Sequence, residues 1–175
     1  MNDQGLFIDG NGLNRIEWSP KDEQPNFNGI VEEYVLAHHA TVAEAVQWFE
    51  QTNVTILSRA KFLLADKTGA SVAIEWADSA TIIIPRVGNY QISTNFRHSN
   101  YSSGNYPCYR YRMSDAMLRE RETFSVDLLR QVLSATHFEG DNSTTLSSYI
   151  CDLTDGWVNI YNFHNFKDVV VFELD

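Results

Sequence analysis

The tripeptide Thr94-Asn95-Phe96 is the first place where this chain could do chemistry. Tyr90 to Thr94 reads as a strand, so the Asn95 amide would stand at a strand exit. An asparagine there is by default a turn or capping residue, yet it is also a well-placed hydrogen-bond donor. Arg110 stands at the start of a predicted helix, where the default is a surface-paired charge. Tyr101, Tyr106, Tyr109 and Tyr111 crowd around it; they would either line an apolar pocket or pack a loop with wet hydroxyls. Glu75 lies between Ile74 and Trp76, and strand alternation turns it away from both, toward solvent or a helix end. The two cysteines, Cys108 and Cys151, show neither CxxC nor zinc spacing. They fit reduced thiols, though one disulfide between them is compatible with the sequence. His38 and His39 are adjacent and point ~100° apart on a helix, while His98, His137 and His164 are scattered among aromatics. No metal and no cofactor is expected. No Ser/His/Asp order, Gly-rich phosphate loop or carboxylate pair stands out.

These residues need elements to hold them. Residues 60–96 carry four apolar runs divided by turn chemistry: Phe62 to Ala65, Ser71 to Ala77, Thr81 to Ile84 and Tyr90 to Thr94. Asp66-Lys67-Thr68-Gly69 and Asp78-Ser79 supply the first two turns, and Pro85 stops the third run. Four strands joined by short turns make an antiparallel meander. Upstream, Leu6 to Ile8 is a short strand followed by the loop Asp9-Gly10-Asn11-Gly12. Residues 14–28 form an irregular loop that buries Trp18 and Phe27. Helices are predicted over 29–38, 41–51, 107–122 and 125–134. Thr41 with Glu44 forms a capping box. Residues 97–106 make a polar loop containing Ser102, Ser103 and Gly104, and residues 139–143 make another. Thr144 to Leu153, Trp157 to Phe163 and Val169 to Leu174 are further strands, with Asp155-Gly156 turning between the first two. Strands, then helices, then strands indicate a single α+β domain over residues 1–175.

The bulk numbers agree with a packed domain. The chain has 175 residues, 43% of them hydrophobic and 13% aromatic, enough for a substantial core. Thirteen basic against 23 acidic residues give a net charge of −10. That argues against nucleic acid and anionic membranes as partners, because phosphate binding needs a basic surface. The N-terminus lacks the pattern of a signal peptide, and no apolar run approaches the ~20 residues of a membrane span. A cytoplasmic location is expected.

Several segments together resemble one family. Met1-Asn2-Asp3-Gln4-Gly5-Leu6, the capped helix from His39 to Ala45, the hairpin Asp66 to Gly69 with Ile74-Glu75-Trp76, Thr94-Asn95-Phe96 and Arg110-Tyr111 occur in order, followed by Thr145 to Asp152 and Tyr161 to Phe166. Their order and spacing resemble the choloylglycine hydrolase and penicillin acylase family of linear amide C–N hydrolases. The resemblance implies an N-terminal-nucleophile-hydrolase-like sandwich of antiparallel sheets flanked by helices, incomplete at the N-terminus. In that family an N-terminal cysteine thiol attacks the amide, and its own α-amino group serves as base. An arginine and an aspartate follow it. All three precede the segment that here begins at Met1.

The resemblance therefore covers the family's C-terminal two-thirds. It matches Asn95 to an asparagine of the oxyanion hole, where one donor is worth ~3 kcal/mol of transition-state stabilisation. It matches Arg110 to an arginine that holds the site's charges. A further oxyanion position falls near Asn11 or Gly12. Gly12, Phe96 and Tyr109 complete the expected ligand-binding set. The expectation is an amide-hydrolase scaffold that is inactive alone, with a small N-acyl amide as possible ligand. The alternative is a non-catalytic ligand-binding or structural protein on the same scaffold. Because family strands that would pair with this sheet are absent from the resemblance, a homodimer is expected, with Leu6 to Ile8, Trp76 or Trp157 at its interface. The loop over residues 14–28 folding across the gap is the monomeric alternative.

Overall fold

The computed structural model describes residues 1–101, 105–141 and 143–174. Ser102, Ser103 and Gly104 of the expected polar loop lie outside the described residues, as does Asn142 of the loop at 139–143. The chain divides into two compact units, Met1–Tyr106 and Pro107–Asp175.

In the first unit the elements run β1 (Leu6–Gly12), β2 (Asn26–Phe27), α1 (Val31–His38), α2 (Val42–Gln51), β3 (Asn53–Val54), β4 (Ala60–Asp66), β5 (Ser71–Ala77) and β6 (Ala80–Pro85). Strands β1-β4-β5-β6 form one antiparallel sheet in that order. β1 is longer than Leu6 to Ile8: the ladder to β4 carries it through Gly12, which faces Ala60. Pairing overrides the poor strand propensity of Asp9-Gly10-Asn11-Gly12. Gly69 closes the β4–β5 turn with φ +87°, and Asp78 and Ser79 both take positive φ between β5 and β6.

One sheet face presents Leu6, Ile8, Phe62, Leu64, Ile74 and Trp76 to a core shared with Val31, Val35, Ala45 and Phe49 of the two helices. Ile16 and Trp18 from the loop after β1, and Phe27 of β2, pack against the same core, with the Trp18 ring 5.9 Å from that of Trp76. Leu6, Ile8 and Trp76 are therefore buried within the unit. Their side chains cannot form the interface expected for them, because the helices and this loop already cover the face. The capping box is present in both halves. Thr41 Oγ1 accepts from the Glu44 N–H, and Glu44 Oε2 accepts from the Thr41 N–H.

Residues 90–94 do not form a fourth meander strand. Side chains replace the ladder there. Gln91 Nε2 donates to Ile84 O at 2.9 Å, its Oε1 accepts from the Ser71 hydroxyl, and the Ser93 hydroxyl donates to Asn11 Oδ1. The segment thereby crosses from β5 and β6 to β1 instead of extending the sheet.

In the second unit the elements are α3 (Tyr109–Leu118), α4 (Val126–Thr136), β7 (Glu139–Gly140), β8 (Ser143–Thr144), β9 (Ser147–Asp152), β10 (Trp157–Asn162) and β11 (Val170–Glu173). α3 stops at Leu118, before the predicted 122, because residues 119–123 offer no apolar side chain to bury. Strands β11-β10-β9 form an antiparallel sheet. Ile150, Tyr161 and Phe166 build its core with Leu129 and Leu133 of α4. Among the described residues no helix is long and apolar enough to cross a membrane.

Candidate active site

Gly10, Asn11 and Gly12 end β1 beside a cleft of about 700 Å³. The opposite walls come from the start of α1 and from the 3₁₀ turn Thr55–Ser58. Arg15, Glu32 and Arg59 bring charge to the lining. At Gly10 an added Cβ would sit 2.6 Å from Glu32 Oε1 and 3.3 Å from Phe62 Cε1, so the Glu32 side chain would have to swing aside to admit it. At Gly12 a Cβ would meet nothing within 4 Å, so this position faces open space. The Asp9 carboxyl is raised above its ordinary range, first by loss of hydration and then by the charge of Glu32.

The far face of the same sheet carries an unusual set of buried polar groups. Lys61 of β4 and Glu75 of β5 are both 0% exposed. Residues 92–99 lie across them. Lys61 Nζ donates to Phe96 O at 2.6 Å and sits 4.9 Å from the centre of the Phe96 ring. Glu75 accepts from the backbone N–H of His98 at 3.0 Å and of Ser99 at 2.8 Å. Those donors open the short 3₁₀ turn His98–Asn100. Alternation does turn Glu75 away from Ile74 and Trp76, and it does meet a helix end. It is not in solvent, however, because the segment after β6 covers it. Arg97 Nε donates to Trp76 O, and its two terminal nitrogens donate to the carbonyls of Asn14, Leu57 and Ser58. Burial lowers the Arg97 guanidinium, with Glu75 opposing. Burial, then the Lys61 charge, push His98 down to about 4, again against Glu75.

Three of the site residues expected from sequence meet here. Asn95 Nδ2 donates to Gly12 O at 2.9 Å, so Gly12 both lines the cleft and anchors the Asn95 amide. Phe96 is buried next in sequence, against His98, Tyr101 and Tyr106. Arg110 and Tyr109 belong to the second unit, at the start of α3; Tyr109 is 58% exposed. Cys108 is the N-cap residue of α3 and Cys151 lies in β9, and both are thiols. Sequence reasoning did not find Lys61, Arg97 or His98. The available signal was Lys61 itself, a charge at the start of an otherwise apolar stretch that runs to Ala65.

No family model and no curated protein matches the sequence. Solved structures do match. Two variants of conjugated bile acid hydrolase from Clostridium perfringens superpose with TM-scores of 0.76 and 0.75 at 12% identity, covering 99% of this chain and 71% of theirs. Penicillin V acylase from Agrobacterium tumefaciens superposes with a TM-score of 0.64 at 15% identity, over 93% of this chain and 61% of its own. The chain has the fold of these enzymes.

It is the N-terminal-nucleophile-hydrolase fold that the ordered motifs imply. At this identity the likeness resides in the backbone, so the residue-level match rests on geometry. Within the hydrolase fold, the meeting of Asn95 and Gly12 is the feature that joins a motif residue to the cleft.

Proposed function

We propose that this chain uses an amide-hydrolase scaffold to bind a small N-acyl amide in the cleft at the end of β1, and that the 175 residues alone do not hydrolyse it. The observation that carries the reading is the 2.9 Å hydrogen bond from the Asn95 amide to Gly12 O at the cleft rim. It ties the side-chain amide of Asn95 to Gly12, a residue of the cleft lining, which supports a role for that amide beside a bound acyl amide. The neighbours' names supply the ligand class: a bile acid conjugate and penicillin V are both acyl amides, and each carries an anionic group. Arg15 and Arg59 in the cleft lining suit such an anion. Turnover by the mechanism the resemblance implies needs a thiolate beside an α-amine. Cys108 and Cys151 are both internal, so neither offers its own α-amine. Arg110 and Tyr109 remain proposed contributors to the complete site.

Penicillin V and a glycine-conjugated bile acid are suitable probes. Titration should give saturable binding by calorimetry, weakened about tenfold by Arg59→Ala or Asn95→Ala through loss of a charged or neutral donor. Amine release should stay at background. No binding at millimolar ligand would overturn the cleft assignment. Turnover that vanishes in Cys108→Ala or Cys151→Ala would overturn the inactivity.

We also propose a homodimer in the cytoplasm. Support for the dimer comes from β11, an outer strand where Val170, Val171 and Phe172 are 54–56% exposed, with Val169 and Leu174 exposed at its two ends. An apolar sheet edge of this kind seeks pairing. Sedimentation equilibrium checks it: a single 20.0 kDa species at micromolar concentration would refute association.

A further inference from the structure

His137 and Glu139, two residues apart, meet His164, some way further along the chain, at one point of the second unit. One ligand atom from each falls within 4.8 Å of the others. Glu139 Oε1 is 2.7 Å from His137 Nε2 and 3.4 Å from His164 Nδ1. Both imidazoles are well covered, while Glu139 is exposed.

The far nitrogen of each ring fixes what the near one can do. His137 Nδ1 is 2.6 Å from Ser134 O. A carbonyl only accepts, so Nδ1 carries a proton. His164 Nε2 is 3.2 Å from Thr144 Oγ1, whose own proton goes to Phe138 O at 3.1 Å. Thr144 therefore accepts, and His164 Nε2 carries the proton. In their neutral forms the two rings then aim lone pairs, from His137 Nε2 and His164 Nδ1, at the region occupied by the Glu139 carboxylate. Three acceptors converge, and only a cation or added protons can reconcile them. Outer hydrogen bonds that fix the tautomer in this way are characteristic of metal-ligating histidines.

Two further features favour a cation. His137 is the C-cap of α4, an 11-residue helix, so the site lies at the negative end of its dipole. Phe163 and His164 take consecutive positive φ values of 43° and 66°, a conformation that side-chain-bearing residues rarely adopt. That turn is what brings His164 back to the end of α4, and the Phe163 ring stacks on it at 4.7 Å.

We propose that His137 Nε2, His164 Nδ1 and Glu139 Oε1 bind one divalent ion of the zinc class, with water completing a tetrahedral set. Two imidazoles and one carboxylate suit zinc and disfavour calcium and magnesium, which take oxygen ligands. Metal–nitrogen distances of ~2.0–2.1 Å require the three groups to close slightly, and exposed Glu139 on the β7–β8 hairpin has room to move. The ion would tie the end of α4, this hairpin and the turn after β10 together.

The test uses the full chain, stripped with chelator and titrated with Zn²⁺ against a chromophoric competitor. One equivalent should bind with micromolar or tighter affinity. His164→Ala and His137→Ala should each weaken uptake at least about tenfold. Glu139→Gln, an exposed change that should leave the fold intact by circular dichroism, should weaken it comparably. The rival ligands are the two thiols, so Cys108→Ser with Cys151→Ser should keep full affinity. Co²⁺ in place of Zn²⁺ should give a tetrahedral visible spectrum without sulfur charge-transfer bands. No uptake at millimolar Zn²⁺, or uptake that survives Glu139→Gln and is lost with the cysteines, overturns the proposal.

Discussion

Replacing Glu75 by alanine distinguishes a buried carboxylate from a surface one by magnitude alone. In the structure Glu75 is 0% exposed and accepts from two backbone donors, His98 N–H and Ser99 N–H. Its charge also acts on Arg97 and His98, which belong to the segment that covers it. Removing the carboxylate strands two covered N–H groups, each costing about 1–3 kcal/mol. It also removes the negative charge that favours the Arg97 guanidinium in its buried setting. These terms overlap, so we expect Glu75→Ala to destabilise by about 3–5 kcal/mol and to lower Tm on the order of 10 °C at this chain length. Glu75→Gln keeps one acceptor but turns an NH₂ toward the second donor, and should fall between alanine and wild type. Urea unfolding followed by tryptophan fluorescence reads the change well, since Trp18, Trp48 and Trp76 all lie in the first unit. A surface glutamate would cost within about 0.5 kcal/mol. A Glu75→Ala value that small would refute the burial argument and the covering role of residues 92–99.

Two pH predictions follow from neighbouring groups. His98 titrates near 4 when folded, against about 6.5 unfolded. The unfolded chain therefore takes up the proton first, and this contribution to stability is complete above pH ~6.5 and is lost as pH falls toward 4. Histidine NMR titration should show one imidazole still neutral at pH 5. An ordinary midpoint for His98 would contradict its burial near the Lys61 charge. Asp66 is opposite in type: burial raises its carboxyl, but the Thr68 hydroxyl, the Val42 N–H and the Thr68 N–H outweigh it and hold it below the ordinary value. Its contribution is present above pH ~4 and is lost as pH drops through the folded value. Asp66→Asn should flatten the acid limb of the urea midpoint against pH. An unchanged limb would show that these hydrogen bonds do not favour the ionised form.

Local chemistry was legible wherever a short-range rule decides the outcome. Thr41 and Glu44 announce the start of α2, and the cap forms with both bonds. Asp66 to Gly69, Asp78-Ser79 and Asp155-Gly156 mark turns, and the chain turns there with positive φ at Gly69, Asp78, Ser79 and Gly156. What could not be read was long-range. Tyr90 to Thr94 has strand composition, yet Gln91 and Ser93 spend their side chains on other strands and no ladder forms. Glu75 was assigned correctly to the face opposite Ile74, but nothing local reveals that residues 92–99 cover that face. His137 and His164 look scattered because only the left-handed turn at Phe163-His164 brings them together. Asn95 and Gly12 were named through the family motifs; their hydrogen bond was not foreseeable from either residue alone.

The bonds that close the first unit have a kinetic side. Ser93 to Asn11, Asn95 to Gly12 and Arg97 to Asn14 join residues 82, 83 and 83 positions apart. The β4–β5 hairpin closes through a turn of only a few residues. On loop-closure entropy alone the long contacts cost about 3 kcal/mol more to nucleate. They become favourable only after β1, β4 and β5 are registered, because the strand ends they grip do not exist before then. The rim of the cleft is thus assembled at the end of folding, not inherited from an early nucleus. Any species that has formed its hairpins but not this clasp would show native-like secondary structure with the cleft rim still open, so formation of the rim would report completion of the whole unit.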